Sequence, residues 1–318
     1  MRYRSLGSSG LQVSVVGLGC NNFGRRLDVE GTRAVIDAAI DVGITLFDTA
    51  ESYGGHGASE TLMGEVLGAR RNQVVLATKW GNQNSDLGYG PAAGAKGGRN
   101  YIKRAVTESL RRLRTDYIDL YQLHTPDPLV PIEETILALS ELIDEGKVRY
   151  IGHSNFSGWR IADADHVARE LGRERFISAQ NHWSLLERGA EADIVPAARH
   201  FGVGVLPFFP LANGLLTGKV RRGQAVPAGT RLAERDGYIT DEKLDRVEAL
   251  IDWAEGQGVS LLDVAIGGLA AIPGCSSVIA GATRPEQVRA NAAAGDWIPT
   301  EVQQTELDKI VPPPPLAR

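Results

Sequence analysis

The chain has 318 residues, 43% of them hydrophobic and 23% charged, with a net charge of −5. That length and apolar share are enough to bury a sizeable core, and the acidic balance without any basic block argues against nucleic acid as the main partner. Two cysteines, Cys20 and Cys275, do not make a disulfide framework, and no run approaches the roughly twenty apolar residues of a membrane span. Met1 to Ser5 lacks the apolar core of a signal peptide, so the expected location is the cytoplasm, with no membrane partner.

Residues 2–14 read as a small hairpin with a turn at Gly7-Ser8-Ser9-Gly10. Beyond it, short runs rich in β-branched residues or leucine alternate with longer helical patterns. Strands are expected to begin at Val15, Ile44, Val74, Tyr117, Val148, Ser178, Val203 and Ser277. Helices are expected near 32–42, 59–67, 103–113, 132–145, 159–171, 190–201, 241–257 and 284–294, with further helical pieces at 261–271 and 300–310. Eight βα units with no break in composition predict a single domain over 1–318. Its fold class is α/β, a (β/α)8 TIM barrel with an N-terminal β-hairpin and extra C-terminal helices. An open dinucleotide-binding sheet is disfavoured, because Gly17-Leu18-Gly19 runs on into Cys20-Asn21-Asn22-Phe23-Gly24 and the third glycine of G-x-G-x-x-G is missing. Residues 81–100 and 221–237, the latter containing Pro227, read as mobile loops that follow strand ends and so cover the same rim. The prolines at 312–315 predict an extended tail.

Three successive apolar runs end on charged or titratable residues. Ile44 to Phe47 ends on Asp48, Val74 to Thr78 on Lys79, and Tyr117 to Leu123 on His124. Five residues past Asp48, in a loop, stands Tyr53. Each taken alone has an ordinary explanation: Asp as a turn residue, Lys as a solvated strand end, His as a core histidine. In a parallel barrel the strand C-termini lie side by side, so these four groups are expected to converge. Strand alternation agrees: Leu46 shares a face with Asp48, Val75 and Ala77 with Lys79, and Ile118, Leu120 and Gln122 with His124.

These residues, in the settings FDTAESYG, ATKWG and DLYQLH, resemble the catalytic tetrad of the aldo-keto reductases. The resemblance extends over nearly the whole chain and lies nearest the bacterial and potassium-channel-β-subunit branch. It implies reduction of aldehydes or ketones to alcohols, with NADP(H) preferred, NAD(H) possible and a small carbonyl compound as substrate. In that chemistry a nicotinamide supplies hydride and Tyr53 the proton. Lys79 is expected to favour the tyrosinate: a unit charge about 4 Å away at an effective dielectric near 20 is worth roughly 4 kcal/mol. Asp48 would hold Lys79 in place, and His124 would orient the carbonyl. The substrate side is expected to be Tyr53, Trp80 and His124, widened by Tyr89, Phe208, Phe209 and Trp183 into an aromatic mouth suited to a flat or apolar carbonyl.

The same resemblance implies the cofactor contacts. Gly19 and Asn21 follow the first barrel strand, and Asp48 belongs to this set as well. Ser154, Asn155 and Gln180 match the carboxamide contacts, and Trp183 matches the aromatic residue that stacks on the nicotinamide. After the seventh strand Phe208, Pro210, Leu211, Asn213, Gly214 and Leu215 match the pyrophosphate segment. There Phe209 replaces a serine hydroxyl and Ala212 a glycine of the family pattern. Gly281, Thr283, Arg284, Gln287 and Asn291 match the adenosine end, where Arg284 favours the 2′-phosphate of NADP. Locally, Thr283 and Glu286 with Pro285 between them predict a capping box.

Two other functions compete. The chain is also similar to channel β subunits, which keep the cofactor and act mainly as regulatory partners. A metal-dependent hydrolase would need clustered ligands, yet two of the strand-end histidines His124, His153 and His182 lack a neighbouring acid, so no metal is expected. The oligomeric state is not readable from the sequence.

Overall fold

The computed structural model describes residues 1–317 except 227, 228, 230, 231 and 236; Pro227, part of the expected loop 221–237, lies outside the described residues. Strands β1 (Tyr3–Ser5) and β2 (Gln12–Ser14) pair antiparallel as the hairpin. Eight parallel strands follow: β3 (Val16–Gly19), β4 (Leu46–Asp48), β5 (Val75–Trp80), β6 (Ile118–Leu123), β7 (Val148–Ser154), β8 (Ser178–His182), β9 (Gly204–Phe208) and β10 (Val278–Gly281). They pair in the order β10-β3-β4-β5-β6-β7-β8-β9. A parallel bridge between Val205 and Cys275, just before β10, brings the ends of that order together, so the sheet forms a nearly closed barrel. The fold is the (β/α)8 barrel.

Alternation along each strand sorts the residues into two apolar layers. Leu46, Ala77, Leu120, Leu206 and Ile279 point inward and form one cluster with Leu6 and Val13 of the hairpin. The hairpin therefore closes the N-terminal end of the barrel. Its turn packs backbone on backbone: Gly7 has φ +59°, and a Cβ there would stand 2.4 Å from the Gly202 carbonyl oxygen. The opposite residues, such as Leu76, Trp80, Tyr121 and Ala179, face the helices and make the larger cluster.

The helices are α1 (Val29–Asp41), α2 (Ala58–Leu67), α3 (Arg99–Leu113), α4 (Ile132–Asp144), α5 (Gly158–Glu170), α6 (Ile194–Phe201), α7 (Asp241–Gly256), α8 (Leu261–Asp263), α9 (Leu269–Ala271), α10 (Pro285–Ala294) and α11 (Glu301–Ile310). Several begin where capping, not periodicity, decides. The Asp28 side chain accepts from the Gly31 amide and starts α1 three residues before the expected position. The helix expected over 190–201 is helical only from Ile194, after a short 3-10 turn at Gly189–Glu191. Between α8 and α9 the chain widens into a π turn at Val264–Gly268. No helix among the described residues is long and apolar enough to cross a membrane.

The segment after β5 is more firmly held than its composition predicts. It contains a 3-10 turn at Pro91–Ala93. The Lys96 ammonium donates to the carbonyls of Asn82 and Ser85 at 2.5 and 2.6 Å, and the Trp80 indole donates to the Lys96 carbonyl at 3.1 Å. One cation and one indole thus take the place of a regular ladder.

Candidate active site

The site grows out of strand register. Gly19 pairs with Asp48, Asp48 with Ala77, and Lys79 with Gln122, so the ends of β3 to β6 lie level. Lys79 is fully buried, and its ammonium has three acceptors: Asp48 Oδ2 at 2.7 Å, the Thr49 carbonyl at 2.7 Å and Tyr53 Oη at 3.3 Å. The other oxygen of Asp48 accepts from the carboxamides of Gln122 at 3.2 Å and Gln180 at 2.9 Å. Both members of the ion pair therefore have their hydrogen-bonding capacity filled, which is what makes a buried pair tolerable. The His124 ring meets the Tyr53 ring edge-on, with centroids 5.7 Å apart. Asp48, Tyr53, Lys79 and His124 are together at one rim, as strand alternation predicts.

Electrostatics assigns each group a state. Burial works against the Lys79 charge, but Asp48 and Tyr53 outweigh it, and the ammonium is held above its ordinary range. For Tyr53 the Lys79 charge acts in the expected direction, favouring the phenolate, but it does not decide the balance. Burial is the larger effect, Asp48 adds to it, and the net shift is upward despite Lys79. Tyr53 is thus protonated at ordinary pH, a donor whose anion Lys79 stands ready to stabilise. Burial first, then Lys79, pushes the His124 imidazole down to about 3, so it is neutral. Its Nδ1 is buried without a partner.

A cavity of about 870 Å³ runs from this rim across the ends of β3, β7, β8, β9 and β10. Asp48, Tyr53 and His124 line it, with Gly19, Asn21, Ser154, Asn155 and Gln180. Its middle is formed by Phe208, Pro210, Leu211, Asn213 and Gly214, and its far end by Gly281, Thr283, Arg284, Gln287 and Asn291. Asn155 sits in the left-handed region at φ +61°, and its amide donates to the His124 carbonyl at 2.9 Å, tying two strand ends together. Between Phe209 and Gly214 the chain is unusual: Phe209, Ala212 and Asn213 all have positive φ, at 54°, 46° and 58°. Such conformations cost about 1–3 kcal/mol each and are held where a site needs them. Asn213 is buried, yet among the described residues neither atom of its carboxamide has a partner. Gly229 and Leu232 of the 221–237 segment also line the cavity, and Arg26 donates to the Gly229 carbonyl at 3.2 Å.

Four expected residues lie elsewhere. β5 runs one residue past Lys79, so alternation turns Trp80 outward, where it stacks on Tyr121 with centroids 4.4 Å apart. Trp183 has the outward parity of Asn181, is fully buried, and donates its indole N–H to Glu191 at 2.8 Å. Tyr89 is buried against Tyr101 and Glu51. Leu215 belongs to the apolar cluster around α7 and does not line the cavity. The aromatic surface facing the cavity is instead Phe208, which shares inward parity with Leu206 and stacks on His182 at an interplanar angle of 8°. The expected aromatic mouth therefore reduces to Tyr53, Phe208 and Phe209.

The capping box does not form. The Gln287 carboxamide oxygen takes both the amide and the hydroxyl of Thr283, at 2.8 and 3.1 Å, leaving Arg284 as an extended N-cap without a side-chain bond. Among the described residues no hydrogen bond or ion pair holds the Arg284 guanidinium, which is exposed and lines the cavity. Gln122, Thr217, Lys219 and Arg26 were missed as site residues. Only Gln122 carried a signal, its inward parity two residues before His124. Among the described residues no three His, Cys, Asp or Glu side chains are grouped as metal ligands would be.

An elongated, anionic, partly aromatic cofactor fits this lining. Among the described residues the Asn213 carboxamide and one His124 nitrogen have no partner at this wall, and the cations Lys219 and Arg284 outnumber the one acid, Glu286, that is not already paired. A second cavity of about 590 Å³ shares Asn21 and Tyr53 with the first; its walls are otherwise Gly24, Arg25, Ser52, Gly54 and Gly55.

Comparison with known proteins agrees with this geometry. The model of the Aldo/keto reductase family matches residues 15–311. A probable voltage-gated potassium channel subunit beta of Oryza sativa is 38% identical, covering 98% of this chain and 95% of its own. An uncharacterized oxidoreductase of Bacillus subtilis is 39% identical, covering 91% of this chain and 89% of its own. An L-glyceraldehyde 3-phosphate reductase of Escherichia coli is 33% identical, covering 92% and 87%.

Proposed function

Because the chain belongs to the aldo/keto reductase family, and so is in general terms an oxidoreductase of carbonyl groups, we propose that it reduces aldehydes or ketones with hydride from NADPH and a proton from Tyr53. The observation that carries this reading is the Lys79 ammonium, held 2.7 Å from Asp48 and 3.3 Å from the Tyr53 oxygen at one edge of the large cavity. The nicotinamide, when bound, supplies the hydride, which no side chain can. As the carbonyl carbon gains the hydride, the C=O π pair moves to oxygen and the Tyr53 proton follows it. Lys79 then faces a phenolate at hydrogen-bond distance, and its charge lowers the energy of that state. Neutral His124 donates an N–H to the carbonyl oxygen and orients it; it carries no charge of its own to the reaction.

Holding the cofactor falls to Gly19, Asn21, Asp48, Ser154, Asn155 and Gln180 at the nicotinamide end. Phe208 takes the stacking role that the sequence assigned to Trp183. Pro210, Leu211, Asn213 and Gly214 would meet the phosphates, joined by Lys219. Gly281, Thr283, Arg284, Gln287 and Asn291 would hold the adenosine, and a guanidinium with no partner among the described residues suits a 2′-phosphate. The second cavity, walled mostly by Asn21, Ser52, Tyr53 and glycines, suits a short hydroxylated carbonyl compound better than a flat apolar one. The name of the E. coli relative, which reports a phosphorylated aldehyde, points the same way.

The test is Tyr53→Phe. It should lose about a thousandfold in turnover, within the range for a general acid, while binding NADPH as before. Reduction at near wild-type rate by the Phe variant would remove Tyr53 from its role. A wild-type protein that binds NADPH but reduces no aldehyde in a panel including glyceraldehyde 3-phosphate would favour the regulatory role of the channel subunits.

A further inference from the structure

Two residues before Tyr53 lies an acid for which the chemistry above has no use. Glu51 is fully buried. Its Oε1 accepts from the Gly81 amide at 2.8 Å and from the Tyr101 hydroxyl at 3.3 Å, and its Oε2 accepts from the Tyr89 hydroxyl at 3.2 Å. Its own amide donates to the Lys79 carbonyl at 2.9 Å. The three side-chain contacts reach three places: the residue after Lys79-Trp80, the rim segment 82–98, and the start of α3. That rim segment in turn reaches the loop after His124, since the Gln83 amide donates to Thr125 at 3.1 Å and the Gly97 amide to Asp127 at 2.8 Å.

We propose that Glu51 is a positioning residue, clamping the turn that carries Tyr53 to the strand end that carries Lys79 and to the rim segment beyond it. This rests on the reading of Tyr53 as proton donor. A carboxylate is suited to the task because it is an acceptor only, and one ionised group here serves three donors. Protonation removes that property: one oxygen then carries a hydrogen, and at least one donor loses its acceptor.

The surroundings place this change within reach of ordinary pH. Burial pushes the Glu51 carboxyl up to about 7, against the Gly81 amide, which stabilises the charged form. Glu60 on α2 adds to the rise, while Arg112 on α3 and the Tyr89 hydroxyl oppose it. Glu60 and Arg112 are themselves paired at 2.7 Å, with Thr78 donating to Glu60 at 2.6 Å. Tyr101 on α3 and Tyr121 on β6 complete the titratable groups around Glu51, and both phenols are raised, by burial first and by Glu51 next.

The experiment follows kcat for an aldehyde at saturating NADPH between about pH 5.5 and 8.5, with the group's value of about 7 in mid-range. Wild type should lose rate on the acid side with an inflection near that value. Glu51→Gln offers one acceptor oxygen and does not titrate. It should run flat across the window at about one tenth of the wild-type alkaline rate, with NADPH affinity unchanged. An inflection that persists in Glu51→Gln, or an alkaline rate equal to wild type, overturns the proposal. If that variant does not fold, Tyr89→Phe decides. It removes a donor that favours the carboxylate, so the inflection should move to higher pH; an unmoved inflection overturns the proposal. Should wild type reduce no carbonyl at all, it is the proton-donor reading that has failed. Amide exchange across residues 81–98, corrected for intrinsic pH dependence, then carries the test. Protection that drops below about pH 7 in wild type and not in Glu51→Gln supports the clamp, and protection independent of pH in both removes it.

Discussion

Lys79→Met isolates the charge from the shape of the side chain. In the structure the ammonium stands 3.3 Å from Tyr53 Oη, so at an effective dielectric near 20 its attraction for a phenolate is about 5 kcal/mol, or between three and four pKa units at most. Without it the phenolate left by proton transfer has only burial around it, which already pushes the wrong way. We expect turnover to fall by about 10²–10⁴, the range for a lost general acid. Stability should fall too, by about 3–5 kcal/mol, because Asp48 is left as a buried carboxylate without its cation. Adding Asp48→Asn separates the two effects. The carboxamide can still accept from Gln122 and Gln180, so at least about 2 kcal/mol should return while turnover does not. Urea denaturation measures the first quantity, and NADPH oxidation with an aldehyde measures the second. A single variant within tenfold of wild-type turnover would refute the role of the charge. A double variant no more stable than the single one would refute the account of the stranded acid.

Arg284→Ala should weaken NADPH by about 10–100-fold, as expected for one lost charge-assisted contact, and NADH by much less. Equal losses, read by fluorescence titration with both cofactors, would end the case for a 2′-phosphate at that guanidinium. Ala212→Gly should raise stability by about 1 kcal/mol in thermal or urea unfolding, since Ala212 holds φ +46°, where a Cβ is a penalty. A lower stability would mean that the left-handed turn after β9 is not strained at this residue.

How much of this was visible in the sequence depends on which force decided each residue. Strand alternation is rigid, so Asp48, Lys79 and His124 could be placed at one rim from their spacing alone. The same rule, applied one residue further, turns Trp80 and Trp183 toward the helices and Phe208 toward the cavity. The two misplaced tryptophans came from matching aromatic types and overlooking parity, whereas Phe208 was expected at the cavity and is there. The capping box at Thr283 failed for a different reason: Gln287, one helical turn on, offers Thr283 a carboxamide that serves both its amide and its hydroxyl, and no local rule ranks that against Glu286. The balance at Tyr53 was not legible because a sequence shows the neighbouring charge and not the depth of burial. Glu51 gave no signal at all. Its three donors come from residues 81, 89 and 101, and only the folded rim brings them to one point.

The hairpin at the foot of the barrel bears on everything at the other end. With Leu6 and Val13 plugging the drum from below, the inner apolar layer stays dry without help from the opposite rim. That rim is thereby released from sealing duty. It can hold an unpartnered amide at Asn213, a left-handed turn and a carboxyl near its titration point, none of which would serve as a lid over an oily interior. One end of the molecule keeps water out so that the other can manage where protons go.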